Sequence, residues 1–179
     1  MAGLPEQAKR PVSSLAGPYG HPFHPILVTV PIGAWVASLA FDVASRVVSG
    51  PGFLTKGSLW LIAIGVVGAL AAAAVGFLDL FAIPPGSRAQ RTALIHMSLN
   101  LLVTVAYVVN FLWRRGTYAH PGFHIGRVGA GMLALSAISL AALAVSGYLG
   151  GKLAYRYGIR VADESTQAEA FAVTRAGSH

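Results

Sequence analysis

Apolar positions fall in four long blocks that lack Asp, Glu, Lys and Arg: Pro25–Phe41, Gly57–Leu78, Thr92–Trp113 and Val128–Gly151. A helix needs about 20 apolar residues, with a range of about 17–25, to cross the hydrocarbon core of a bilayer. All four blocks meet that length. They predict helices from about His24 to Val47, from Gly57 to about Ile83, from near Thr92 to Trp113, and from about Arg127 to Gly151. Ser49-Gly50-Pro51-Gly52 and Pro84-Pro85-Gly86-Ser87 are turn signals between them. A longer loop is expected over Arg114 to Gly126. The expected fold is an all-α, integral membrane four-helix bundle. Its domain plan is a polar N-terminal segment (1–20), a four-helix transmembrane domain (21–158) and a flexible cytoplasmic tail (159–179).

Polar residues inside these blocks are few and patterned. In the first helix His24 and Asp42 stand 18 residues apart, five helical turns, so they share a face with Trp35 and Ser38. Pro31 is expected to kink this helix. Asp42 precedes Arg46 by one turn, the spacing of an i,i+4 interfacial ion pair. In the second helix Gly65, Gly68, Ala72 and Gly76 form one stripe, which lets helix backbones approach closely in lipid. Asp79 extends that stripe and reads either as paired with a structural partner such as Arg88 or Arg91 or as a functional carboxylate. In the third helix His96, Asn100, Tyr107 and Asn110 follow at intervals of 4, 7 and 3. They lie within a sector of about 80°. That stripe reads either as interhelical hydrogen bonding or as a polar interior lining a cofactor or a proton route. In the fourth helix Gly129, Ser136, Ser139, Gly147 and Gly150 make a small face. Adjacent Gly150 and Gly151 are expected to break or bend it.

Composition sharpens the class. Of 179 residues, 55% are hydrophobic and 11% charged, against about 25% charged in soluble domains. The segment Met1 to Gly20 lacks the short apolar core of a secretory signal, so the first span is expected to be retained. The formal charge of +7 sits in loops and tails, where it sets orientation. Eight cations (Lys9, Arg10, Arg88, Arg91, Lys152, Arg156, Arg160, Arg175) share the side of the termini and five (Arg46, Lys56, Arg114, Arg115, Arg127) the other. That bias places both termini in the cytoplasm. No nucleic-acid motif accompanies the charge. The absence of cysteine excludes thiolate metal sites, resident iron–sulphur ligation and disulphides. No nucleophile is paired with a base, so no catalytic constellation is evident and enzyme activity is left open.

Candidate chemistry centres on Gly20-His21-Pro22-Phe23-His24-Pro25. Each imidazole precedes a proline, which fixes a stiff entry to the first helix. This entry reads as an interfacial cap, as a haem or metal ligand site, or as a proton-handling site. His21 is expected in the headgroup zone, exposed to water, and His24 one turn deeper. Helix direction puts His24, Asp79, His96 and Tyr148 in one depth band, and Asp42, Asn110, His120 and His124 in the other. His120-Pro121-Gly122-Phe123-His124 echoes the opening stretch on that opposite side, and His179 is simply tail. Within the first band His24 and His96 are candidate ligands of a haem iron, a haem b. His21, Asp42, Asp79, Asn100 and Tyr148 are supporting polar groups, with carboxylate or Tyr partners behind the imidazoles. The alternative use of the same interior is a small proton-coupled channel or transporter, or a structural assembly partner of a membrane complex.

Four motifs in order carry a resemblance. They are His21-Pro22-Phe23-His24-Pro25 with Pro31-Ile32-Gly33 and Asp42; Gly76-Phe77-Leu78-Asp79; His96-Met97-Ser98-Leu99-Asn100; and Ser146-Gly147-Tyr148-Leu149-Gly150-Gly151-Lys152-Leu153-Ala154-Tyr155-Arg156-Tyr157-Gly158. Together they resemble the domain-of-unknown-function 2231 family, predicted four-helix bacterial membrane proteins, over about Gly20 to Val161. The resemblance implies a multi-pass protein of the bacterial cytoplasmic (inner) membrane. Some relatives are fused to, or sit beside, Rieske-type iron–sulphur domains. This implies an electron-transport setting, with a Rieske-type or other redox membrane protein as partner. A homo-oligomer is a further expectation. Members often carry an acidic residue within the Gly-Gly-x-Leu segment, where this chain has Lys152.

Overall fold

The computed structural model describes residues 4–119 and 125–171. His120, His124 and His179 lie outside them. Four helices are long and apolar enough to span a bilayer: His24–Ala44, Gly52–Leu80, Arg88–Tyr118 and Ala130–Arg156. No strand occurs among the described residues. The chain is an all-α membrane bundle, as its hydrophobic blocks require.

Local chemistry explains where the spans begin and bend. The first is interrupted at Val28, between His24–Leu27 and Thr29–Ala44. Pro31 has no N–H to offer the Leu27 carbonyl, so the ladder loosens just before it. The third span starts at Arg88 because Ser87 accepts from Gln90 N at 3.0 Å while Gln90 Oε1 accepts from Gly86 N at 2.7 Å, a reciprocal cap. It continues to Tyr118, so Arg114, expected in a loop, is a helical residue. Gly150 and Gly151 do not end the fourth helix. It runs on through a π-helical turn, Lys152–Arg156, where Tyr157 N donates to Lys152 O five residues back at 3.1 Å.

Consecutive spans pack side by side and the fourth closes against the first, so the first and third occupy opposite corners. Burial is inverted relative to a soluble protein. Ser38, Asp42, Ser58, Asn110, Arg114 and Ser136 are fully enclosed, while Phe53, Trp60, Val67, Leu102 and Ile138 stand exposed. Apolar residues outside and polar residues inside are what a lipid solvent demands. The small stripe of the second span seats the first. A Cβ at Gly65 would run into the Trp35 ring, one at Gly68 into Val30 at 2.7 Å, and one at Gly76 into His24 at 2.8 Å. On the fourth span Gly150 faces His96 at 3.1 Å, but Gly147 is exposed with no neighbour, so it is not part of the packed face.

Candidate functional site

The first and third spans meet through their side chains in three layers. His24, Trp35 and Asp42 lie opposite His96, Tyr107 and Arg114, and each pair is 72 residues apart. The same offset relates the buried positions Pro31 and Val103, and Ser38 and Asn110. The two helical hairpins therefore contribute equivalent positions to a common interior.

The middle layer is apolar. Trp35 stacks on Tyr107 with ring centres 4.1 Å apart and planes 10° from parallel. Ile62 and Val103 complete a cluster with no solvent access above 2%. Trp35 Nε1 donates to Ile62 O at 3.3 Å and Tyr107 Oη to Ser136 O at 3.2 Å, so both polar tips are satisfied.

At the end away from the termini lies a buried ion pair. Arg114 grips Asp42 with two parallel bonds, Nη1 to Oδ1 at 2.7 Å and Nη2 to Oδ2 at 2.6 Å. Both side chains are fully enclosed. Ser58 Oγ donates to Asp42 Oδ1. Arg114 Nε donates to Asn110 Oδ1 at 2.9 Å, and Asn110 Nδ2 to Ser136 Oγ at 2.9 Å and Met132 O at 3.0 Å. One residue or more from every span joins this network, which offers no free group to a ligand. The i,i+4 partner expected for Asp42 is wrong: Arg46 turns away and its Nη1 donates to Val128 O at 2.8 Å. A fork that meets a carboxylate bidentately in a dry interior outcompetes a one-turn pair at the rim. Arg114 extends the stripe His96, Asn100, Tyr107, Asn110 by four residues, a signal that could have found it.

At the end carrying both terminal segments His24 and His96 converge. Their ring centres are 6.4 Å apart and their planes 83° from parallel. His24 Nδ1 lies 2.8 Å from Ala72 O, and His96 Nδ1 lies 2.8 Å from Ser146 O. A backbone carbonyl only accepts, so each Nδ1 carries the proton and each Nε2 presents a lone pair. Asn100 Nδ2 sits 3.1 Å from His96 Nε2 and donates to it. The partners behind the imidazoles are thus backbone carbonyls, with Ser146 Oγ 3.0 Å from His96 Nδ1, rather than the expected carboxylate or Tyr. Gly76 and Gly150 flank the rings, and a side chain at either position would occupy the space they use.

His21 is exposed in the entry loop. Tyr148 is 75% exposed on the outer surface and does not join the histidine pair. Asp79 pairs with neither Arg88 nor Arg91; its Oδ1 is 2.9 Å from Arg160 Nε. The contact lacks hydrogen-bond alignment, and Arg160 Nη1 and Ser13 Oγ are also buried without a hydrogen-bond partner among the described residues. Arg160 Nη2 donates to Ala16 O at 2.9 Å and Gly17 O at 3.0 Å, and Arg160 N to Ala8 O at 3.0 Å. Arg160 is the one non-glycine residue with positive φ (60°) among those described. Ala16 O also accepts from Phe23 N at 3.2 Å, so this arginine and the entry that holds His24 share one carbonyl. Nothing in the sequence around Arg160 signalled that role.

Among the described residues no three His, Cys, Asp or Glu side chains cluster as a metal cage. The imidazoles that could serve as donors are the pair His24 and His96. A metal ligated by histidine is held by one ring nitrogen while the other donates to a carbonyl or carboxylate, and both imidazoles have that arrangement. The ring centres lie 6.4 Å apart, close enough for the two imidazoles to serve one site. His24 and His96 are the residues that would hold a metal centre here.

Neither a curated protein nor a solved structure matches the chain. The family described as "Predicted membrane protein (DUF2231)" matches residues 20–163, which takes in all four spans, both histidines and Arg160. The chain belongs to this family of predicted membrane proteins.

Proposed function

We propose that the protein is an accessory component of membrane redox chemistry, with a b-type haem held by His24 and His96. The observation that carries this reading is the convergence of two imidazoles from equivalent positions, each with Nδ1–H anchored on a carbonyl. Bound haem would supply one-electron chemistry. The chain's own residues would do the rest. Ala72 and Ser146 would orient the rings, Gly76 and Gly150 would leave them space, and Asn100, now bonded to His96 Nε2, would have to give that nitrogen up to the iron. The packed layer of Trp35, Tyr107, Ile62 and Val103 closes the interior beyond the pair, which supports a fixed site over a continuous proton-coupled channel. A Rieske-type or other redox membrane protein is the proposed partner. The proposed location is the bacterial cytoplasmic membrane, with both termini in the cytoplasm.

Protein purified from haem-replete cells should show a Soret band that is absent in His24→Ala and His96→Ala and retained in His21→Ala. Folded, stable protein that emerges colourless from such cells would sink the proposal. Colourless protein that changes proton or solute flux in liposomes would favour the channel, and colourless protein that co-purifies with a membrane complex the assembly role.

A further inference from the structure

The end of the fourth span carries a second feature, on its outer surface and independent of the histidine pair. There the π-helical turn Lys152–Arg156 borders a groove of ≈ 320 Å³ lined by Tyr148, Gly151, Lys152, Tyr155 and Arg156. Single π turns inside helices are frequent at functional sites. Gly151 lines the groove, and an added Cβ there would meet the Tyr155 side chain only at ordinary contact, 4.0 Å. Tyr148 and Tyr155 are 75% and 92% exposed. They stand where a span leaves the hydrocarbon, the depth at which Tyr rings meet headgroups.

Charge in the groove has one sign. Lys152 and Arg156 line it and no carboxylate does. Neither cation takes part in an ion pair among the described residues, whose two pairs are Asp42–Arg114 and Asp79–Arg160. Lys152 Nζ rests 5.6 Å over the Tyr157 ring, an attraction that leaves its charge uncompensated. Arg88 and Arg91 are exposed at the start of the third span, which packs against the π turn. Above the groove, Ile138, Ala141, Val145 and Tyr148 follow at three- and four-residue spacing and are all exposed. They form an apolar track along the helix that ends at Lys152.

We infer that this groove binds the phosphate headgroup of an anionic phospholipid. Lys152 and Arg156 hold the phosphate, Tyr148 and Tyr155 flank the glycerol region, and an acyl chain runs along Val145, Ala141 and Ile138. A basic pocket beside an apolar track at the membrane surface is the arrangement that selects an anionic lipid over a zwitterionic one.

The test uses the full chain reconstituted with phosphatidylcholine alone or mixed with phosphatidylglycerol, re-extracted in mild detergent and weighed by native mass spectrometry. The wild type should retain phosphatidylglycerol in preference to phosphatidylcholine. The double variant Lys152→Glu/Arg156→Glu should lose that preference by about tenfold or more. Arg127→Glu, an exposed cation at the other end, and Lys152→Arg/Arg156→Lys should keep it. Equal retention of both lipids by the wild type, or undiminished preference in the charge-reversed variant, overturns the inference. Displacement of the lipid by millimolar inorganic phosphate would reassign the site to free phosphate. Retention of polyglutamate without retention of anionic lipid would reassign it to an acidic protein. If the charge-reversed protein fails to fold, the conservative double variant and Arg156→Gln carry the test. Preference kept by Arg156→Gln then counts against the inference.

Discussion

Asp42 and Arg114 illustrate how one residue pair can organise a membrane interior. Two charges taken out of water are costly. Here each lone pair and N–H of the fork finds a partner in Ser58, Asn110 or Ser136. Removing one member leaves the other charged, buried and unpaired, which costs about 3–5 kcal/mol, whereas replacing both by apolar groups is often neutral. Asp42→Ala and Arg114→Met should therefore each lower the thermal unfolding midpoint in detergent sharply. The double variant Asp42→Leu/Arg114→Leu should recover most of the loss. Single variants that fall within about 0.5 kcal/mol of the wild type would show that the network adds nothing to stability.

At the level of elements, the two terminal segments form a clasp at the histidine end of the bundle. Arg160 ties Ala8, Ala16 and Gly17 to the C-terminal segment, and Tyr19 Oη donates to Asp163 Oδ2 at 2.8 Å. The clasp is strained, because a non-glycine residue at positive φ costs about 1–2 kcal/mol and buried N–H groups without acceptors add more. Arg160→Ala should speed amide exchange in residues 4–20 and 157–163 by about tenfold, equivalent to about 1.4 kcal/mol, with the spans unaffected. The Thr166 backbone N–H, joined by the Ser165 and Tyr19 hydroxyls, holds the Asp163 carboxyl well below the usual carboxylate range. A depressed carboxylate contributes stability that is complete above its unfolded value of about 3.9 and is lost as pH falls through the folded value. Exchange in the clasp should thus be insensitive to this group between neutral pH and about pH 5, and loosen only in stronger acid. Loosening near neutrality in the wild type that disappears in Asp163→Asn would contradict this assignment.

At the scale of the whole molecule, the described parts of both terminal segments meet at one end, so the described loops each have a definite side. With no cysteine in the chain, single substitutions at exposed Ser49 and Ser165 report each side without background. An impermeant thiol reagent applied to sealed cells should label Ser49→Cys and spare Ser165→Cys. The reverse pattern would invert the proposed orientation, and with it the side on which the histidine pair and the tyrosine-lined groove lie.

The number and length of the spans were legible in the sequence because the bilayer imposes them locally: about 20 apolar residues suffice, whatever the neighbours do. So were the inward faces, since His24, Trp35, Ser38 and Asp42 share a helical periodicity, as do His96, Asn100, Tyr107 and Asn110. Likewise legible was the shared depth of His24 and His96, which follows from helix direction alone. Partners were not legible. Asp42 has Arg46 one turn away and chooses Arg114, 72 residues on. Asp79 bypasses Arg88 and Arg91 for Arg160, whose other contacts reach back 144 residues to Ala16. Tyr148, at the right depth, faces outward because the rotation of its helix is set by Ser136, Ser139 and Ser146 turning inward. Rotation about each helix axis and the choice among several equidistant charges depend on packing between spans. That packing is a property of the assembled bundle, and only the tertiary structure decides it.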